Sequence, residues 1–164
     1  MNILFKETVE ADLEELGKIL NYYIVNTSIN FHLKALDLKE LKETLIFKEA
    51  GFNCFTIFLD DKICGFVQIT QHKKREAYNC SGEISVYLDK ECTNKGIGKQ
   101  AFDFIENYAR LKQFHSLIST ICGENIASIK LAQNFGYEKC AHYKEIGKKF
   151  YRYLDVVAYQ KILD

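Results

Sequence analysis

Glu83-Ile84-Ser85-Val86-Tyr87-Leu88, a short loop, and then Asn94-Lys95-Gly96-Ile97-Gly98-Lys99 form the stretch that decides how this chain folds. Ile84, Val86 and Leu88 alternate with Glu83, Ser85 and Tyr87, so 83–88 reads as a strand with two distinct faces. Gly96 and Gly98 permit positive φ and close backbone approach, which lets successive N–H groups point at one spot. Beyond them Ala101, Phe102, Ile105, Tyr108 and Ala109 share one stripe, predicting a helix over 96–112. A helix N-terminus carries unpaired N–H groups and the positive end of the dipole, and Lys95 and Lys99 add charge beside it. The arrangement predicts a phosphate or pyrophosphate site, although a Gly-x-Gly turn alone is equally an ordinary entry into a helix.

Two other phosphate-binding patterns fit less well. A P-loop needs Gly at 93 and Ser or Thr at 100, where Thr93 and Gln100 stand. A dinucleotide fingerprint finds a third small residue in Ala101 but lacks the early βαβ unit. It also lacks an acidic residue closing the next strand, which ends Ile121-Cys122 with Glu124 just beyond.

Working outward, residues 2–6 read as a strand, and Asp12 and Glu15 open a helix with Leu13, Leu16, Leu20, Tyr23 and Ile24 on one face. The polar stretch Asn26–Asn30 ends it. A second helix is expected from about Asp37 to Glu49, with Leu38, Leu41, Leu45 and Ile46 at helical spacing. Strands at 53–59 and 62–70 flank Asp60-Asp61, a hairpin turn. Downstream of helix 96–112 come a strand at 116–122, a helix at 125–135 and strands at about 138–145 and 150–162. The order β-α-α-β-β-β-α-β-α-β-β predicts an α/β (α+β) fold: a mixed, mostly antiparallel central sheet flanked by helices, with one βαβ crossover from 83–88 to 116–122. No linker or repeat divides residues 1–164, which read as a single domain.

Composition narrows the function. Of 164 residues 48% are hydrophobic, with ten Tyr and twelve Phe, so the chain can build a core and is not a disordered segment. Twenty-two basic residues balance 22 acidic ones, giving no net field to attract nucleic acid or an anionic membrane. No apolar run is long enough to span a bilayer, and the N-terminus is charged too early for a signal peptide, so a cytoplasmic location is expected. Cys54, Cys64, Cys80, Cys92, Cys122 and Cys140 form no C-x-x-C pair and have no His at ligand spacing, so reduced thiols and no metal are expected. His32, His72, His115 and His142 show no triad or metal spacing and read as structural or surface residues.

The strand–Gly-x-Gly–helix element resembles the acetyl-CoA pyrophosphate motif of GNAT acetyltransferases. Asn125-Ile126-Ala127-Ser128 followed by Asn134-Phe135-Gly136-Tyr137 resembles that family's second cofactor element, with Gly136 as the helix stop. Three further stretches resemble the phosphinothricin/methionine sulfoximine acetyltransferase branch: Asn21-Tyr22-Tyr23-Ile24-Val25-Asn26-Thr27 with Phe31; Arg75-Glu76-Ala77-Tyr78 leading to Gly82–Tyr87; and Lys148–Val156, with Tyr153 where Trp is usual. The resemblance spans nearly the whole chain.

It implies an acetyl-CoA-dependent N-acetyltransferase acting by direct attack on an amino acid or amino-acid analogue as small-molecule amine. Glu83 is then the candidate general base, since an ammonium must lose a proton before it attacks. Arg75 and Tyr78 would grip a carboxylate-bearing acceptor, with Thr27 and Phe31 lining its pocket. Val86 and Leu88 would pair through their backbone with the pantetheine arm; Lys95, Gly96, Ile97, Gly98 and Lys99 would receive the pyrophosphate; Asn125 and Ser128 would meet the cofactor. Each has an ordinary alternative: Glu83 as a solvated strand carboxylate, Arg75 as a solvated loop charge, Phe31 as a core aromatic, Asn125 as a helix cap. Two positions depart from the family. Thr93 replaces the usual Gln or Arg, and Ala132 stands where a Tyr or His often protonates the leaving thiolate, a proton left to solvent or another Tyr. A peptide or protein N-acetyltransferase and a non-catalytic acyl-CoA sensor are the competing readings. Many such enzymes are homodimers, but no residue here speaks to that.

Overall fold

The computed structural model describes residues 1–163. In chain order the elements are β1 (Ile3–Glu7), α1 (Leu13–Asn26), α2 (Leu38–Leu45), β2 (Asn53–Leu59), β3 (Lys62–Gln71), β4 (Ser81–Leu88), α3 (Ile97–Leu111), β5 (Ser116–Cys122), α4 (Ile126–Asn134), β6 (Glu138–Lys149) and β7 (Arg152–Ile162). The strands form one seven-stranded sheet in the order β1-β2-β3-β4-β5-β7-β6. Every neighbouring pair is antiparallel except β4 and β5, which α3 joins as a parallel crossover. The mixed, mostly antiparallel sheet expected from the sequence is the one observed.

Each face of the sheet buries its own core. On one face Leu13, Leu16, Leu20 and Ile24 of α1 and Leu41 and Leu45 of α2 close over Cys54 and Phe66. On the other, Ile97, Ala101, Phe102, Ile105 and Ala109 of α3 pack on Ile57, Val67, Ile69, Ile84 and Leu117. The spacing had marked Leu13, Leu16, Leu20, Ile24, Leu41, Leu45, Ala101, Phe102, Ile105 and Ala109 for these faces, whereas Leu38, expected on the same stripe of α2, is exposed in its first turn. Among the described residues no helix is long and apolar enough to cross a membrane.

Three boundaries differ from expectation. The second helix stops at Leu45 rather than near Glu49, because Ile46 takes an extended conformation (φ −113°, ψ 111°). Phe47 just beyond packs against both cores, as the chain passes from the α1/α2 face toward β2. β4 begins two residues early, at Ser81. β6 and β7 run on to Lys149 and from Arg152, joined by the two-residue turn Phe150-Tyr151 at φ 51° and 60°. Such a turn normally advertises itself with Gly or Asn; two aromatic residues hide it. Asp60-Asp61 makes the expected hairpin turn, at φ 47° and 66°.

A buried polar link fixes how α1 enters. Thr56 Oγ1 of β2 donates to Asp12 Oδ2 at 2.8 Å and lies 3.0 Å from Thr8 Oγ1, while the Val9 N–H donates to the same carboxylate at 3.2 Å. Asp12→Ala should lower unfolding free energy in urea by about 1–3 kcal/mol, the cost of leaving buried donors short of a partner; an unchanged midpoint would mean the link carries no stability.

Candidate functional site

β4 and β5 pair only through Ser81–Glu83 against Ser116–Ile118. Beyond Glu83 each strand keeps its outer neighbour, β4 with β3 as far as Leu88 and β5 with β7 as far as Cys122. The two inner edges therefore part, and a cavity of about 450 Å³ opens between Ile84–Leu88 on one side and Ser119–Cys122 on the other. Strand edges that face each other without pairing leave backbone donors and acceptors for an extended ligand to take up. Tyr23 of α1 already claims one of them, its hydroxyl donating to the Leu88 carbonyl at 2.6 Å. Of the Leu88 backbone, expected to pair with the pantetheine arm, the carbonyl is thus already engaged within the chain.

Two helix N-termini close the cavity. Gly96, at φ 78°, is the left-handed residue that turns the chain into α3. Thr93, Asn94, Gly98 and Lys99 line the wall there, and from α4 come Ala127, Ser128 and Leu131, with Asn125 just before it. Lys95, Gly96 and Ile97 lie outside the lining; Ile97 has its side chain fully buried in the core, leaving only its backbone for a ligand. Asn125 accepts from the Ser128 N–H at 3.2 Å, so it caps α4 and lines the cavity at once. Ala132 is fully buried and lines neither cavity.

Glu83 occupies the last paired position before the strands part. Its side chain is about 30% exposed, and His72, the first residue after β3, brings Nδ1 to 3.1 Å from Glu83 Oε2. The ring of Tyr78 stands edge-on to that imidazole at 6.1 Å. His72, read from the sequence as a structural or surface histidine, is brought to Glu83 by the fold. Its distance of 11 residues from Glu83 matches no familiar motif, and the cross-strand register of β3 on β4 is what joins them. Arg75 caps the single 3₁₀ turn Glu76–Tyr78 and forms no ion pair among the described residues.

A family profile described as an acetyltransferase (GNAT) domain matches residues 6–158. The chain belongs to the GNAT acetyltransferase family. Among curated relatives, the phosphinothricin N-acetyltransferase of Streptomyces coelicolor is 28% identical over 159 residues, covering 94% of this chain and 93% of its own. The solved ribosomal-protein-alanine N-acetyltransferase of Brucella melitensis is 30% identical with a TM-score of 0.88, covering 98% of this chain and 99% of that one. A GNAT superfamily phosphinothricin acetyltransferase from Sinorhizobium meliloti, solved in complex with AcCoA, shares the fold with a TM-score of 0.93 at 24% identity, covering 99% and 89%. This GNAT protein is an acetyl-CoA-dependent N-acetyltransferase.

In the GNAT fold of this chain a second, more open recess of about 590 Å³ adjoins the slot, sharing Ile29, Asn125 and Ala127 with it. Thr27 lines this recess, while its hydroxyl donates to the Tyr23 carbonyl at 2.7 Å. Phe31 sits over Gly147, where a Cβ would come within 2.3 Å of the ring. Arg75 and Tyr78 line neither cavity, so the four acceptor candidates do not converge on one pocket. Next in the chain to Phe150, which lines the recess, stands a buried lysine that no motif singles out. Lys149 Nζ donates to the carbonyls of Ile24 at 2.5 Å and Asn30 at 2.6 Å, tying β6 to the end of α1 and the loop after it. Burial lowers its pKa, and the carbonyls at the helix C-terminus are the groups best suited to hold the charge there.

At the rim Arg152 forks onto both oxygens of Glu124, and Ser28 donates to Glu124 Oε2 at 2.8 Å. Arg152, and Ser28 after it, hold the Glu124 carboxyl at about 2, down from the ordinary 4.5. With the folded value below the unfolded one, the cluster stabilises the fold above about pH 4.5 and loses that contribution as pH falls toward 2. Both side chains are about half exposed, so the effect is modest and shrinks with salt. Glu124→Gln should therefore melt lower than wild type at pH 7, with the gap closing on acidification; a gap constant with pH would assign it to something other than the carboxylate's charge.

Proposed function

We propose that this GNAT enzyme acetylates the amine of a small, amino-acid-like acceptor by direct attack within a complex holding both substrates, with Glu83 taking the amine's proton. The observation that carries the reading is the place of Glu83 at the point where β4 and β5 part, next to the slot. The slot suits acetyl-CoA: it is edged by unpaired strand backbone and bounded by the N-terminus of α3 with Lys99 beside it, a setting for phosphate. When bound, acetyl-CoA supplies a thioester carbonyl that an amine can attack.

The chain's own part is to orient and to move a proton. At neutral pH the acceptor amine is an ammonium with no lone pair, and the Glu83 carboxylate supplies the base that uncovers it. Arg75, exposed and without a carboxylate partner among the described residues, offers a planar fork to the acceptor's acid group, and Tyr78, also exposed, ends the 3₁₀ turn that Arg75 begins. Phosphinothricin, the acceptor in the name of the Streptomyces relative, is of this amino-acid-like class, as is methionine sulfoximine in the branch the sequence resembles. The likeness to the Brucella protein favours one other reading, acetylation of a protein N-terminus; comparing free amino acids with short peptides as acceptors separates the two.

Acetyl-CoA at about 100 times its Kd should stabilise the protein by about 2.7 kcal/mol, seen as a rise in Tm. Glu83→Gln should keep that rise and lose about a hundredfold or more in kcat, while Arg75→Ala should raise the acceptor's KM. No Tm shift with millimolar acetyl-CoA, or a Glu83→Gln enzyme at wild-type rate, would overturn the reading.

A further inference from the structure

We infer that His72 is a positioning residue for the reaction: it donates from Nδ1 to Glu83 Oε2 and so leaves Oε1 as the oxygen that meets the acceptor amine. This rests on the reading of Glu83 as the base. Three rotatable bonds separate a glutamate's carboxylate from its backbone, and Glu83 is partly exposed, one residue before Ile84, where β4 begins to line the slot. A base left to sample several rotamers spends little time in reach of the amine, because an orientation not fixed beforehand must be fixed at the moment of reaction. Among the described residues His72 is the one side chain that hydrogen-bonds the Glu83 carboxylate.

The surroundings of the imidazole fit this role. His72 is itself about 27% exposed, so its other nitrogen, Nε2, can keep company with water while Nδ1 faces the carboxylate. Tyr78 braces the ring edge-on from the Glu76–Tyr78 turn. The Gln71 side chain donates to Asn79 Oδ1 at 3.4 Å, holding that turn against the end of β3. The other charged groups nearby in the chain, Lys73, Lys74, Arg75 and Glu76, lie exposed on the connecting loop, and none of them pairs with Glu83. A carboxylate facing an imidazole selects the tautomer with hydrogen on the near nitrogen, so His72 should carry its proton on Nδ1.

The test compares His72→Ala, His72→Leu and His72→Asn with wild type and with Glu83→Gln. Asparagine places an N–H donor close to where Nδ1 stands; leucine fills the space without one. Loss of a hydrogen bond to a charged group corresponds to about tenfold or more in kcat. His72→Ala and His72→Leu should show that loss with acetyl-CoA affinity by calorimetry unchanged, and His72→Asn should recover most of it. In the Glu83→Gln background His72→Ala should cost nothing further. Nitrogen-15 NMR of the imidazoles, with the His72 signals assigned by their absence in His72→Asn, should show the Nδ1–H tautomer. Wild-type kcat in His72→Ala alongside a slow Glu83→Gln, or a His72→Asn no better than His72→Leu, or an Nε2–H ring in the wild type, overturns the positioning role and leaves the base in place. A fast Glu83→Gln overturns both.

Discussion

The structure depends on two neighbouring strands that stop pairing. After three registered residues β4 and β5 separate, and a sheet interior that would otherwise be continuous opens into a slot. Unpaired strand edges inside a fold are unfavourable unless something else holds each strand straight. Here β4 is held by seven residue pairs to β3 and β5 by seven to β7, so neither needs the other to stay extended. The helices finish the work: α3 crosses from one strand to the other and brings its N-terminus to the slot, and α4 follows β5 to line the far wall.

The opposite face of the sheet supplies the counterweight. α1 enters through the Asp12–Thr56 link, buries its apolar stripe, and sends Tyr23 to the Leu88 carbonyl at the end of β4. Its C-terminal carbonyl at Ile24 is taken by Lys149, whose ammonium also holds the loop at Asn30. That one cation binds the end of a helix, a loop over the recess and a hairpin arm from the far edge of the sheet. Phe31 can lie on the arm because residue 147 is glycine. The slot is thus edged by strand backbone and helix ends, and the recess beside it by residues brought together from distant elements.

That division explains which residues could be read in advance. Periodicity within one segment marks a strand or a helix, so the seven strands, the core stripes of α1 and α3 and the Gly96 turn were all legible. The end of α2 was not, because Phe47 answers to two cores that no local window contains. Nor was the Phe150-Tyr151 turn, whose left-handed backbone is imposed by the pairing of β6 with β7 against the preference of both residues.

The order of elements, the glycine entry to α3 and the carboxylate at Glu83 could be read from the chain alone, because each is written in contiguous residues. Tertiary packing alone brings His72 to Glu83, buries Lys149 against Ile24 and Asn30, leaves Arg75 and Tyr78 off the recess that Thr27 lines, and engages the Leu88 carbonyl. Those contacts arise from cross-strand register and helix packing between segments up to 125 residues apart, and nothing local in the chain encodes them.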